Sequence, residues 1–243
     1  MSDDGHWFEP VADHLGGAYL RYSFAQGTEQ EVAFLVEALG LEPGMRLLDV
    51  GCGPGRHSYA FARLGLEVVG VDISRRFVEL ATGSAPPGAT FVRADARALG
   101  YDGEFDAAVS LCQGAFGLAG GPGAPLDGDG AVLDGIARAL RPGAMAAVSA
   151  FSAYFQVRWL EDGDTFDAGA GVNHERTEVR DEDGGTAAVD LWTTCFTPRE
   201  LRLLAAAAGL EVVGLWSVTP GAYARADPSI ETPEFLLVAR RPR

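Results

Sequence analysis

The chain has 243 residues, 47% of them hydrophobic, and a formal charge of −15, enough for one α/β domain with added segments and unfavourable for binding phosphate backbones. All 19 basic residues are arginine, which excludes a P-loop lysine and a pyridoxal Schiff base. Three cysteines (Cys52, Cys112, Cys195), odd in number and far apart in sequence, fit neither a disulfide framework nor a zinc knuckle. No apolar run is long enough for a membrane span and the start lacks a secretory signal's basic flank, so a cytoplasmic protein is expected, with neither nucleic acid nor membrane as a partner.

Trp7, Phe8, Tyr19, Tyr22 and Phe24 make an aromatic, partly helical leader able to close over a pocket. Thr28 to Glu31 has the form of a capping box, and Val32, Leu35, Val36 and Leu39 follow at helical spacing up to Gly40. Short apolar strands and amphipathic helices then alternate. Strands are expected at 46–50, 67–71, 91–94, 105–111 and 144–150, and helices at 57–64, 74–81 and 131–140. Such strands, polar on neither face, imply a parallel sheet covered on both sides, a doubly wound α/β architecture.

After Ala150 the rhythm breaks. Two extended segments, 173–179 and 187–194, flank Asp181-Glu182-Asp183-Gly184-Gly185 and read as a hairpin. Thr197-Pro198-Arg199-Glu200 is a second capping box, opening a helix that ends at Gly209, and 210–217 and 234–240 supply two last strands. The Gly/Pro-rich stretch 117–130 reads as a loop.

The stretch Leu47-Leu48-Asp49-Val50-Gly51-Cys52-Gly53-Pro54-Gly55 describes a buried strand turning sharply around a ligand, because glycine admits positive φ and close approach to the backbone. Its spacing differs from the G-x-G-x-x-G of dinucleotide binders, and position 56, where the third glycine would stand, is arginine. Asp72 ends the second strand, where a carboxylate can accept from both ribose hydroxyls, and Asp95 after the third can accept from an adenine amine.

This set, with Gly70-Val71-Asp72-Ile73-Ser74, Ala94-Asp95-Ala96, Phe105-Asp106 and Leu140-Arg141-Pro142-Gly143, resembles the class I S-adenosylmethionine-dependent methyltransferases of small-molecule type. The resemblance implies a Rossmann-like, seven-stranded, mostly parallel sheet with an antiparallel last strand, and S-adenosyl-L-methionine as cofactor, with S-adenosyl-L-homocysteine as product. It implies that Asp49 and the amides around Gly51, Cys52, Gly53 and Gly55 receive the methionine end. It further implies that Ile73 packs on adenine beside Asp95 and Ala96, and that Leu111 and Cys112 face the cofactor.

The chain then divides into a leader or lid (1–40), a cofactor core (41–150), a substrate-side insert (151–196) and a tail completing the sheet (197–243). The expected function is methyl transfer to O, N or C of a small molecule, in secondary metabolism. The alternatives are a non-catalytic cofactor-binding subunit, a protein methyltransferase, or a nicotinamide-dependent oxidoreductase, which the glycine spacing opposes.

Ser110-Leu111-Cys112-Gln113-Gly114-Ala115-Phe116 lacks the Asn/Asp-Pro-Pro-aromatic pattern of enzymes that methylate nucleobase amines. Tyr19, Tyr22, Gln113, Phe116, Tyr154, Trp159, His174 and Trp192 are the candidate substrate-pocket residues, with aromatic rings suited to a planar or apolar acceptor. His174, beside Glu175, is the candidate base, with His14 second; no metal site is expected. Monomer and homodimer are both open.

Overall fold

The structure, a computed structural model, describes residues 6–22, 26–118, 121 and 127–243. The leader forms helix α1 (Glu9–Leu15) and a 3-10 turn (Gly16–Arg21); Phe24 lies outside the described residues. There follow α2 (Thr28–Leu39), β1 (Arg46–Val50), α3 (Arg56–Arg63), β2 (Glu67–Asp72), α4 (Arg75–Gly83), β3 (Ala89–Arg93) and β4 (Phe105–Ser110). Helix α5 (Gly128–Ala139) begins earlier than the 131 start expected for it, taking up the end of the predicted loop. Strand β5 (Leu140–Ser152) runs straight on from it.

The sheet order β3-β2-β1-β4-β5 is parallel throughout. The chain closes with α7 (Pro198–Ala207), β9 (Glu211–Val218) and β10 (Glu234–Arg240); β10 runs antiparallel between β5 and β9. These seven strands are the sheet expected. Successive residues face opposite sides, as Leu48 packs under α5 with Val132, Leu133 and Ile136, and Leu47 packs under α2 and α3 with Leu35 and Phe61.

The insert adds what sequence patterning did not anticipate, a short helix α6 (Ala153–Arg158) and a strand β6 (Thr165–Asp167). The expected hairpin is present as β7 (Val172–Arg180) and β8 (Thr186–Phe196), with Asp181 N–H bonded to the Gly185 carbonyl at the tip. Where β4 ends, β8 takes over the same edge of β5 through Phe151 opposite Cys195 and Ser152 opposite Phe196, so pairing continues to ten strands among the described residues.

The hairpin leans over the carboxyl ends of the parallel strands and meets the leader. Val11 and Leu15 pack on Val179, with Phe8, Tyr19, Tyr22, Val189 and Leu191 around them. At the tip, the Glu182 carboxylate accepts the Gly17 N–H at 2.7 Å and pairs with Arg76 at 3.3 Å. Phe8 of the leader and residues of the hairpin share a cleft with the segments at the ends of β4 and β5.

The two capping boxes part ways. Thr197 accepts the Glu200 N–H and Glu200 reaches back to the Thr197 N–H, with Pro198 opening α7. At α2 the N-cap is Gly27, and among the described residues no side chain caps the helix. Thr28 Oγ1 instead accepts from Arg56 at 2.7 Å, and Glu31 turns inward to a buried ion pair. A buried carboxylate gains more from an arginine than from a solvated helix amide.

Candidate active site

The turn after β1 is built on one close approach. Gly51 has φ 74°, and a Cβ there would stand 2.2 Å from the Gly114 carbonyl carbon, so the β1 turn touches the loop after β4 backbone to backbone. The turn's amides are spent internally: Gly51 and Cys52 N–H donate to the Val71 carbonyl, Gly53 N–H to Asp72 at 2.8 Å, and Gly55 N–H to the Cys52 carbonyl. The turn leaves space beside Gly53, where an added Cβ would meet, among the described residues, the Tyr19 and Phe77 ring edges at 3.8 and 4.0 Å.

Asp72 is 5% exposed at the end of β2, with Oδ2 accepting Gly53 N–H and Oδ1 accepting Ser74 N–H, both at 2.8 Å. Burial pushes its pKa up to about 6, the two amide hydrogen bonds opposing. It lines a cleft with Phe8, Gly51, Ile73, Asp95 and Ala96, to which Gly114 and Ala115 also contribute. Asp95 is clamped by Arg97, which donates from its backbone N–H and its guanidinium, and that bonding lowers the Asp95 pKa. Asp49 sits behind the turn, 2% exposed, with Oδ2 accepting the Ser58 hydroxyl at 2.6 Å.

A second cleft adjoins the first at the exits of β4 and β5. Cys112, Gln113, Phe151, Gln156, Asn173 and Glu175 form much of its lining, and Phe8 and Leu118 border both clefts. Cys112 and Gln113 have φ 51° and 52°, a left-handed backbone that non-glycine residues seldom adopt, and the Cys112 N–H is held by Ser149 Oγ at 2.8 Å.

Behind Cys112 lies a buried charged knot. Glu31, fully buried, accepts from Arg56 at 3.0 Å and from His57 Nε2 at 2.6 Å through one oxygen, and from Gly221 N–H at 2.8 Å through the other. Burial alone would raise the Glu31 pKa, but His57, Arg56 and Gly221 outweigh it and lower it; burial lowers that of His57. A neutral imidazole thus donates to an ionised carboxylate. Glu31, His57 and Cys112 bring donor atoms within 4.8 Å of one another, and Arg56 already bridges Glu31 and Cys112 Sγ, the latter at 2.7 Å. Burial pushes the Cys112 thiol up to about 12.

The substrate candidates are dispersed. Gln113 lines the second cleft. Phe116 is core, stacked on Phe196 at 4.6 Å, and Leu111 also packs into the core. Tyr154 and Trp159 are exposed on and just after α6, lining neither cleft. Tyr19 packs against Phe77 beside Gly53, and Tyr22 accepts the Arg180 N–H, tying leader to hairpin.

His174 stacks on Trp192 at 4.8 Å and bonds to Asp190 at 2.8 Å, not to Glu175; strand alternation sends this pair to the face opposite Asn173 and Glu175. His14 bonds to the Val179 carbonyl. Asn173 and Glu175, which line the second cleft, were not among the pocket candidates because neither is aromatic or histidine; the even-odd phase of the hairpin was the available signal.

Residues 47–143 match the family described as methyltransferase domain. The cypemycin N-terminal methyltransferase of Streptomyces sp. is 31% identical over 217 residues, 82% of this chain and 84% of that protein. Among solved structures, the CcbJ methyltransferase of Streptomyces caelestis superposes with TM-score 0.75 at 22% identity over 98% of both chains. CalS10, an amino pentose methyltransferase of Micromonospora echinaspora solved with S-adenosylmethionine bound, gives 0.64 at 23% identity over 92% of this chain and 95% of that one. A parallel sheet with one antiparallel insertion and a glycine turn facing two strand-end acids defines a nucleoside-binding α/β enzyme. The chain belongs to the class I S-adenosylmethionine-dependent methyltransferases.

Proposed function

We propose that this methyltransferase acts on a small molecule held in the cleft at the ends of β4 and β5, and that the adjoining cleft holds the methyl donor. The observation that carries this reading is the shared wall: Phe8 and Leu118 border both clefts, so two ligands sit side by side at the carboxyl edge of the sheet. S-adenosylmethionine supplies an electrophilic methyl on a sulfonium.

The residues fit it. Asp72 keeps lone pairs for two ribose hydroxyls, Ile73 and Phe8 flank the base, and Asp95 and Ala96 form the rim, with Asp95 already engaged by Arg97. Room beside Gly53 takes the methionine end, with Asp49 bracing the turn through Ser58. Cys112, Gln113 and Ser149 fix the loop between the clefts, and the leader and hairpin exclude water. Cys112, protonated and held by Arg56, aligns rather than attacks.

No helix among the described residues is long and apolar enough to cross a membrane. A cytoplasmic setting is part of the proposal, supported by three unpaired thiols. The test is calorimetry with S-adenosylhomocysteine, followed by mass-spectrometric detection of methyl transfer to a panel of phenols, amines and carbon acids. Binding and a methylated small molecule are expected; binding with transfer only to a protein would refute the small-molecule reading.

A further inference from the structure

We propose that the acceptor is an amine that arrives as a cation, recognised by the Glu175 carboxylate and the Asn173 side-chain oxygen on the hairpin wall of the second cleft. This deepens the acceptor-cleft reading above and rests on it.

The wall has a definite polarity. Asn173 faces Thr193 across the hairpin and Glu175 faces Leu191, and all four line the cleft, so this face of β7 and β8 is the one turned to the ligand. None of the described residues lining it is basic. The Arg56 guanidinium, which donates to the Cys112 sulfur, is already committed to Glu31 at 3.0 Å. Glu161 and Asp164, in the segment before β6, add negative charge felt at Glu175.

An independent observation marks the same place. Asn173 is 4% exposed, and its Oδ1 is buried with no hydrogen-bond partner among the described residues. A buried acceptor oxygen left unmet is costly, and a donor from a bound ligand meets it. An ammonium supplies several N–H donors and one positive charge to a half-buried carboxylate. An alcohol brings one donor and no charge, and a carboxylate is repelled.

Transfer then balances simply. The bound ammonium gives one proton to the Glu175 carboxylate. The freed nitrogen lone pair forms the N–C bond as the donor's S–C bond breaks and leaves its pair on sulfur. Positive charge moves from sulfur to the methylated nitrogen, and Glu175 releases its proton to solvent. Burial raises the Glu175 pKa, a Thr177 hydrogen bond opposing and Asp164 and Glu161 adding to it, consistent with a group that accepts a proton.

The experiment measures binding of three probes of one skeleton, 2-phenylethylamine, 2-phenylethanol and 3-phenylpropionate, to the full chain saturated with S-adenosylhomocysteine at pH 7.5. The amine is expected to bind at least tenfold tighter than the alcohol, and the propionate more weakly than either. Glu175→Gln is expected to reduce the amine-to-alcohol ratio below threefold with S-adenosylhomocysteine affinity unchanged, which a merely structural role would not do. Asn173→Ala, in the same assay, should weaken the amine more than the alcohol. An amine affinity no greater than the alcohol's, whether both are weak or both strong, overturns the proposal, as does an unchanged ratio in Glu175→Gln. Failure to bind S-adenosylhomocysteine at all would instead overturn the cofactor reading beneath it, and this proposal with it.

Discussion

Asp72 carries two duties in the proposed function, since its oxygens fasten the β1 turn through Gly53 and Ser74 and the residue lines the cleft assigned to the donor. Asp72→Ala is expected to weaken S-adenosylhomocysteine binding by about 1 to 3 kcal/mol through lost buried hydrogen bonds; an unchanged dissociation constant by calorimetry would count against the ribose role. With its pKa raised to about 6, the carboxylate is ionised at pH 7.5 and protonates below 6, so affinity should fall as pH drops through that value. Glu234 gives a second pH signal. Burial brings it to about 7 from an ordinary 4.5, Gln113 opposing, and its Oε2 has no partner among the described residues. The folded chain then holds more protons than the unfolded one between about 4.5 and 7, so this group's contribution to stability falls as pH rises across that window. Glu234→Gln removes the titration. Because a tenfold change in proton affinity is worth roughly 1.4 kcal/mol, the variant's stability relative to the parent should improve by about 1 to 3 kcal/mol between pH 5 and pH 8, as read by urea denaturation at both values. An equal difference at the two pH values would exclude such a carboxyl.

Secondary structure and the glycine turn after β1 were legible because their causes are local. Alternating apolar runs set the strands, and the glycine turn with Asp72 and Asp95 is written in short contiguous stretches. Thr28 and Thr197 mark the limit of that legibility. Both head an S/T-x-x-E segment, yet only Thr197 caps its helix, because Arg56, remote in sequence, draws Thr28 and Glu31 away. Thr197→Ala should therefore cost about 1 kcal/mol in a denaturant titration, the usual worth of an N-cap; no loss would mean the box contributes nothing. The wall proposed for the acceptor was illegible for a different reason. Aromatic side chains at Phe116 and Trp192 were equally good candidates by type, and only the core stack on Phe196 and the outward stack on His174 decide their places. In a strand, moving the pairing by one residue exchanges cleft for exterior, and that phase is set by the partner strand rather than by composition.

The folded chain joins segments distant in sequence around one edge of its sheet. Glu31 links α2, α3 and the turn at Gly221, while Glu182 at the hairpin tip holds the leader and α4. Donor-product binding should stabilise this assembly, by about 2.7 kcal/mol at a ligand concentration one hundred times the dissociation constant. Hydrogen exchange should show added protection reaching the leader around Phe8 and the loop around Leu118, besides the β1 turn; protection confined to the turn would mean the leader takes no part. The partition made by Phe8 and Leu118 has a thermodynamic corollary. A ligand on one side that fixes those two side chains spares the second ligand the entropy of ordering them, so each guest tightens the other's hold by an identical factor. Spent donor lingering in its chamber would then favour retention of unmodified acceptor, making the demethylated nucleoside a natural brake on turnover.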